Sequence, residues 1–415
     1  MRMIMAIAAL AAATVTGPSA AAAAESGYRP VNTLVYDLGD QAFRPPASSG
    51  YDGANELNGI VYYPADLERG NHPLIMIQHG YWQTCADRVA TERNTAAQAA
   101  FDAAQQAGDD QEAARQEKIL TETSALMNRW PCAPGTKPLP SFAGYDYLGR
   151  QLASRGFVVV SVGVNGINST SPGQAPSVYY ARAALINAQL GLWQQLASTG
   201  QGPLRGRLID PRTGRPAGVD FRGHVDLTDV GTIGHSMGGG GVMQQAADIR
   251  HGEWPPGVRV RAVFALAPTD NWNGEAVTQV PFAIMWGTCD QVNTGDYFAS
   301  NAGRNHAPIY HYTLTGGNHD NYNTEWSPAG GQVGAHDEAI PGSAPGTCRT
   351  QFPGGPQSDQ RELTEIRQRA VTSAYVTAFF ERHLKNRTDF DAVLTGRRRP
   401  PGVPDVATAE FADGL

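Results

Sequence analysis

Residues 229–249 read DVGTIGHSMGGGGVMQQAADI, and three features of this stretch decide the fold class. Residues 229–234 are a short apolar run of the kind that forms a buried strand. A glycine-rich turn follows, and residues 237–249 then have the composition of a helix. A strand that passes through such a turn directly into a helix is typical of α/β proteins.

The same alternation continues on both sides of this stretch. Further strands are predicted at 59–63, 73–78, 157–164, 262–267, 281–287 and 309–314, and further helices at 145–155, 178–198 and 362–385. Continuous apolar strands are buried on both faces. The pattern therefore predicts an α/β fold with a mostly parallel, doubly wound sheet.

Three segments interrupt the alternation and read as insertions. Residues 86–131 are rich in Ala, Gln, Glu and Arg and predict one or two helices directly after the third strand. Residues 199–224 and 325–360 are rich in glycine and proline. We expect residues 25–415 to form a single domain with these insertions. The tail at 396–415 begins with an arginine run, which predicts a solvated end.

Composition limits the classes of partner. The 415 residues carry 32 Lys+Arg against 39 Asp+Glu, a formal charge of −7, which argues against a nucleic-acid partner. Residues 1–24 have the plan of a secretory signal peptide: Arg2, a short apolar run and a small-residue stretch. That run is too short to span a bilayer, so we expect secretion, extracellular or periplasmic, without stable membrane insertion.

The glycine-rich turn that follows the strand at 229–234 carries a candidate nucleophile. GHSMG matches the pattern G-x-S-x-G, in which a strained turn exposes the serine, here Ser236. A serine hydroxyl needs a base, and in this arrangement an acid and then a histidine follow in the chain. Asp290 and His319 each follow a predicted strand, so we predict His319 as the base and Asp290 as its orienting acid. Asp270 is the alternative acid and His336 the alternative base.

Two backbone N–H groups are candidate donors to a developing oxyanion. One belongs to Met237, the residue after the predicted nucleophile. The other belongs to Tyr81, in the His-Gly-Tyr-Trp turn at 79–82, which we call the oxyanion turn and which follows the strand at 73–78. The alternative for this turn is simple packing of its two aromatic side chains. We expect His235 to be structural, because its neighbours leave it pointing away from the serine.

These motifs resemble those of the α/β-hydrolase superfamily, in the branch of dienelactone-hydrolase-like enzymes, platelet-activating-factor acetylhydrolases and bacterial polyester hydrolases. GHSMGGGG is similar to the polyester-hydrolase turn, and HGYW, GTCDQV and GGNHDN resemble the oxyanion, acid and histidine loops. The resemblance implies an α/β-hydrolase fold and cleavage of small or polymeric esters without a cofactor. It also implies aromatic substrate contacts, for which Trp82 and Trp272 are the candidates. Trp272 lies a few residues from its place in polyester hydrolases.

The four cysteines suggest two disulfides in a secreted chain, and four cysteines allow three pairings. We hypothesise that Cys85 and Cys132, at the two ends of the first insertion, pin its base, which leaves Cys289 to pair with Cys348. The sequence has no CxxC or HxxxH spacing, so no metal site is expected. Because the insertion leaves the core beside the oxyanion turn, it is a candidate cap over the serine, with surface elaboration as the alternative.

The sequence thus predicts a secreted serine hydrolase that cleaves carboxylic esters through a Ser-His-Asp triad and an acyl-enzyme. Two alternatives remain at this point. The same triad serves peptidases and amidases, because the pocket sets the preference for the leaving group. A non-catalytic binding protein on the same fold is the alternative from another class.

Overall fold

The computed structural model describes residues 28–170, 176–269, 276–294, 297–327, 344, 346–349 and 358–415. Its strands are β1 Val31–Asp37, β2 Asn58–Pro64, β3 His72–Gln78, β4 Val158–Val162, β5 Ile209–Asp210, β6 Arg215–Pro216, β7 Val225–His235, β8 Val260–Leu266, β9 Phe282–Gly287, β10 Ile309–Leu314, β11 Thr347–Cys348, β12 Gln360–Arg361 and β13 Ala407–Ala412. Its α-helices are α1 Arg88–Ala107, α2 Asp110–Met127, α3 Asp146–Ser154, α4 Asn165–Thr170, α5 Pro176–Thr199, α6 Met237–Ala246, α7 Tyr297–Asn301, α8 Glu365–Lys385 and α9 Asp391–Leu394. Short 3₁₀ turns lie at Ala47–Ser49, Leu67–Arg69, Ser141–Tyr145, Asp248–Glu253, Asp320–Tyr322, Thr324–Trp326 and Thr388–Phe390.

A large central sheet organises these elements in the order β13-β10-β9-β8-β7-β3-β4-β2-β1-β5-β6. The strands from β10 to β4 in this order pair in parallel, and the pairings outside them are antiparallel. The mixed α/β class and the mostly parallel sheet are therefore as predicted. Each predicted strand and helix is present, with its ends within four residues of the expected positions.

Strand β3 illustrates how helices cover both faces of the sheet. Its side chains alternate between the two faces, as in any strand. Leu74 and Met76 join the buried cluster that contains side chains of α5 and α6. Ile75 and Ile77 join the cluster that contains side chains of α3 and α8. A strand that is buried on both sides explains the uninterrupted apolar run.

The first insertion forms two helices, α1 and α2, that pack against each other. Gly108, at φ 71°, ends α1 in the left-handed conformation, and the side chain of Asp109 caps α2. The second insertion carries the small β5–β6 hairpin, which joins the sheet through Val35 and Ile209. Most of the third insertion lies outside the described residues, as does the predicted signal peptide.

The chain termini extend the sheet beyond the sequence prediction. β1 was not predicted, and it pairs antiparallel with β2. The C-terminal tail was expected to be a solvated end; instead, β13 pairs antiparallel with β10 along its whole length. Its alternating, half-exposed residues are typical of an edge strand. The arginine run before it is exposed, as expected. No helix within the described residues has the length and apolar character of a membrane span.

Candidate active site

Ser236 occupies a strained turn between β7 and α6. Its backbone dihedral angles are φ 55° and ψ −123°, a region that residues other than glycine rarely adopt. Its N–H donates to the carbonyl of Leu266 over 2.9 Å, and its own carbonyl accepts from Gly240 and Thr269. Strain of this kind persists only where the surroundings fix it, and it clusters at functional sites.

Glycines make the turn possible because other chain segments approach it closely. A Cβ atom on Gly234 would lie 2.1 Å from the carbonyl oxygen of Gly238. A Cβ atom on Gly238 would lie 2.3 Å from the carbonyl oxygen of Gln78, at the end of β3. Distances this short exclude a side chain at either position. The two glycines of G-x-S-x-G thus let β7, α6 and β3 meet around Ser236.

His319 and Asp290 meet in the loops that follow β10 and β9. The Nδ1 atom of His319 lies 2.7 Å from Oδ2 of Asp290. Oδ1 of Asp290 accepts from the backbone N–H groups of Val292, at 2.7 Å, and Asn293, at 2.9 Å. Asp290 is fully buried, so these three donors replace the water that its carboxylate loses.

The acid and histidine loops are joined through their backbones. Cys289 donates its N–H to the carbonyl of Gly317 over 2.9 Å. A Cβ atom on Gly287 would lie 2.3 Å from the same carbonyl oxygen. From α8, buried Gln368 donates to the carbonyl of Asn318 and accepts from its N–H, at 2.7 and 2.8 Å. The residue before His319 is therefore held on both its polar backbone groups.

The Asp290 carboxylate favours the charged form of His319. Burial disfavours the charged imidazolium, but the charge and hydrogen bond of Asp290 outweigh it, with a smaller contribution from Asp320. The net result raises the pKa of His319 above its ordinary value. The bond to Asp290 also leaves the Nε2 atom of His319 as the one able to accept a proton from elsewhere.

His235 connects the strained turn to the histidine loop. Its Nε2–H donates to the carbonyl of His319 over 2.8 Å, so its Nδ1 accepts from the hydroxyl of Tyr145, 2.9 Å away. Only the neutral ring makes both bonds. Burial and then the charge of His319 lower the pKa of His235 well below its usual value. These contacts give His235 a structural part, as expected from its neighbours in the sequence.

The turn after β3 lies against the serine. A Cβ atom on Gly80 would lie 2.6 Å from Cβ of Ser236 and 2.8 Å from the carbonyl oxygen of His235. The backbone N–H of Tyr81 therefore belongs to a peptide that adjoins Ser236. Met237 begins α6, where the first N–H groups of a helix have no partner within it. Both predicted donor residues thus border the serine.

A cavity of about 520 Å³ opens above the serine. Its lining residues are Tyr81, Trp82, Gln83, Met127, Asn128, Ser236, Met237, Thr269, Val292, His319 and Asp320. Trp82 stacks on Trp326, with ring centroids 5.2 Å apart and planes at 14°. Ser236, His319, both donor residues and Trp82 thus share one cavity, whereas Trp272 lies outside the described residues. Asp270 and His336, the alternatives, also lie outside them.

The structure contains two disulfides, Cys85–Cys132 and Cys289–Cys348, which are the pairs hypothesised from the sequence. The first closes the base of the helical insertion, where the N–H groups of Thr84 and Cys85 also donate to the carbonyl of Met127. This attachment brings the last turn of α2 to the cavity. The second disulfide adjoins Asp290.

Several residues of the site were missed in the sequence. Gln368 lies on α8 and Tyr145 ends the 3₁₀ turn before α3; the sequence patterns there predict only packing, and the partners of both residues are distant in the chain. Met127 and Asn128, at the end of α2, and Val292, in the loop after β9, also line the cavity. Nothing in a single sequence marks such residues, because the pattern of a helix or loop does not specify which backbone atoms it will meet.

Within the described residues, no three His, Cys, Asp or Glu side chains are grouped as ligands of a metal ion would be. The chain matches no protein-family model, and no curated protein matches it.

Proposed function

We propose that the protein is an exported serine hydrolase of the α/β-hydrolase fold that cleaves carboxylic esters through an acyl-enzyme. The observation that carries the proposal is that three residues meet beyond the C-terminal ends of the parallel strands. Ser236, in a strained turn, and His319, bonded over 2.7 Å to buried Asp290, line one cavity in the chain order that this fold requires. The two disulfides are compatible with export to an oxidising compartment.

The proposed reaction uses each residue at a stated atom. Nε2 of His319 takes the proton of Ser236 as Oγ attacks the ester carbonyl, while Asp290 stabilises the imidazolium that forms. The N–H groups of Tyr81 and Met237 donate to the negative oxygen. His319 then protonates the leaving alcohol. Water, activated by the same imidazole, releases the acid and restores the serine.

The cavity lining favours an apolar substrate. Tyr81, Trp82, Met127, Met237 and Val292 provide mainly apolar surface around the serine. Apolar contact of this kind stabilises a bound hydrocarbon group by about 25 cal/mol per Å² of buried area. We therefore propose esters with an apolar acyl or alcohol group, as small molecules or as segments of a polymer.

Replacing the nucleophile tests the proposal. Ser236→Ala is expected to reduce p-nitrophenyl ester turnover by at least about 10⁴-fold, because the covalent step is lost. A fluorophosphonate probe should label the native protein at Ser236 and leave the variant unlabelled. Ser154→Ala is the matched control, since Ser154 is also buried but bonds within α3. Native activity in Ser236→Ala would refute the mechanism.

The alternatives have their own readouts. Matched p-nitrophenyl ester and p-nitroanilide substrates separate an esterase from an amidase or peptidase, and we expect the ester to react faster. Absence of both turnover and labelling in the native protein would favour a non-catalytic binding protein on this fold.

A further inference from the structure

The carbonyl of Gly80 accepts two hydrogen bonds from side chains behind the oxyanion turn. The Nδ2 group of Asn168, on α4, donates to it over 3.1 Å. Nδ1 of His79 lies 2.9 Å from the same oxygen. Because the N–H of Val164 donates to Nε2 of His79 over 2.9 Å, the proton of this ring is on Nδ1, which therefore donates to Gly80.

These two bonds fix the direction of the next N–H group. The carbonyl of Gly80 and the N–H of Tyr81 belong to one planar peptide unit, and in a trans peptide they point in opposite directions. Donors on the carbonyl side therefore hold the N–H on the other side. Gly80 itself packs against Ser236, so the orientation of this peptide decides where the N–H meets the substrate.

A buried arginine holds the two supporting residues together. Arg182, on α5, is fully buried. One of its terminal nitrogens donates to the carbonyl of His79 over 3.0 Å, and the other donates to Oδ1 of Asn168. The donation to Oδ1 turns the amide of Asn168 so that its Nδ2 faces Gly80. A Cβ atom on Gly241 would lie 2.8 Å from Cβ of Arg182, so the glycine run after the serine makes room for this side chain.

Burial of a guanidinium is unfavourable by several kcal/mol unless its hydrogen bonds compensate. One of the two bonds described for Arg182 ends on the carbonyl of His79, in the oxyanion turn, and the other ends on Asn168, which donates to that turn. Neither Arg182 nor Asn168 is among the residues that line the cavity. They are therefore placed to act through the Gly80–Tyr81 peptide and not on the substrate.

We propose that Asn168 and Arg182 are positioning residues that hold the Gly80–Tyr81 peptide with its N–H directed at the oxyanion, an inference that rests on the proposed function. Direct removal of an oxyanion donor costs about 10²–10³-fold in kcat. Loosening the support of one donor should cost less.

The test compares two asparagines of the same short helix. Asn168→Ala removes the donor to Gly80, whereas Asn165→Ala removes an equally buried donor that bonds to the carbonyl of Leu139. Turnover is divided by the concentration of protein that a fluorophosphonate labels, so that only folded, reactive molecules are counted. For Asn168→Ala we expect a decrease in kcat of about 10-fold with KM nearly unchanged, and an equal rise in the inhibition constant of a trifluoromethyl ketone, whose adduct carries the oxyanion.

Asn165→Ala should lower the melting temperature similarly and leave both constants near native values. If Asn168→Ala does not fold, Arg182→Lys provides the test, because one ammonium nitrogen cannot occupy both guanidinium positions. Identical kcat and inhibitor affinity in the paired variants would overturn the inference while leaving Ser236 as nucleophile. A native protein that neither hydrolyses esters nor reacts with the probe would reject the proposed function and this inference with it.

Discussion

The C-terminal edge of the parallel strands, which carries the proposed triad, and the helical insertion beside it are held in different ways. Ser236, His319 and Asp290 are 5%, 4% and 0% exposed, and hydrogen bonds from several elements fix the loops that carry them. In the insertion, four residues of α1 and one of α2 are buried. Its attachment is concentrated at its base, around Cys85 and Met127.

This difference matches what each region is proposed to do. Acyl transfer needs donors and a base held within a fraction of an ångström, which buried and fully bonded groups provide. A wall of the binding cavity only has to provide a surface, so a segment anchored at one end suffices. Changes at the sheet edge should therefore affect kcat, and changes in the insertion should affect the choice of substrate.

Among the changes that compare the two regions, Asp290→Asn is expected to have the largest effect. The amide disrupts the hydrogen bond that selects the imidazole tautomer, and we expect a loss in kcat of about 10⁴-fold. The variant also loses the negative charge that raises the pKa of His319, while burial, which lowers it, remains. Since the base works when neutral, the acid limb of the kcat/KM profile should move to lower pH. Ester hydrolysis across the range in which imidazole titrates measures both effects.

Asp320→Asn is the control for that profile. Asp320 contributes less to the raised pKa of His319, so its replacement should shift the limb in the same direction but by less. An unchanged acid limb in Asp290→Asn would mean that Asp290 does not govern the base.

Gly80→Ala tests how tightly the sheet edge is packed. The added methyl group would lie 2.6 Å from Cβ of Ser236, so the oxyanion turn has to move. We expect a loss in kcat of at least about 100-fold, the effect of losing an oxyanion donor. Gly218→Ala, at an exposed position of the second insertion, adds a methyl group with no atom within 4 Å and should leave kinetics unchanged. Comparable kinetics in the two variants would contradict the tight packing of the oxyanion turn against Ser236.

Removing one disulfide or the other compares the two regions in variants that are expected to lose similar free energies of unfolding. Cys85–Cys132 joins cysteines that are 47 positions apart in the chain, and Cys289–Cys348 joins cysteines that are 59 positions apart. On a chain-entropy model, each disulfide stabilises the fold by about 4 kcal/mol. Replacing Cys289 and Cys348 by serine should also lower kcat, because this disulfide adjoins Asp290. Replacing Cys85 and Cys132 should leave the kcat for short esters within about threefold of native. Denaturant unfolding and ester kinetics on both double variants measure this, and equal losses of kcat would refute it.

The triad, its supporting contacts and the C-terminal tail differ in how far the sequence predicts them. Strand and helix patterns predict the parallel core, and Ser236, Asp290 and His319 follow from chain order along it. Supporting contacts do not follow, because Gln368 and Arg182 bond to backbone atoms that only the folded chain brings near. The tail shows the same limit: β13 has an edge-strand pattern, but its partner β10 lies about 100 residues earlier.

Met127→Ala tests the insertion most directly, through substrate preference. Met127 ends α2 and lines the cavity, so its truncation enlarges the space for the substrate without touching the triad. Differences of a methylene or two in an apolar pocket change relative kcat/KM by about 10-fold. We therefore expect the preference among p-nitrophenyl esters to shift by that factor toward longer acyl chains, with little change for the acetate. Leu126→Ala is the control, because Leu126 is 43% exposed and is not among the lining residues. An unaltered chain-length profile in Met127→Ala would make the insertion a surface elaboration and not a cap.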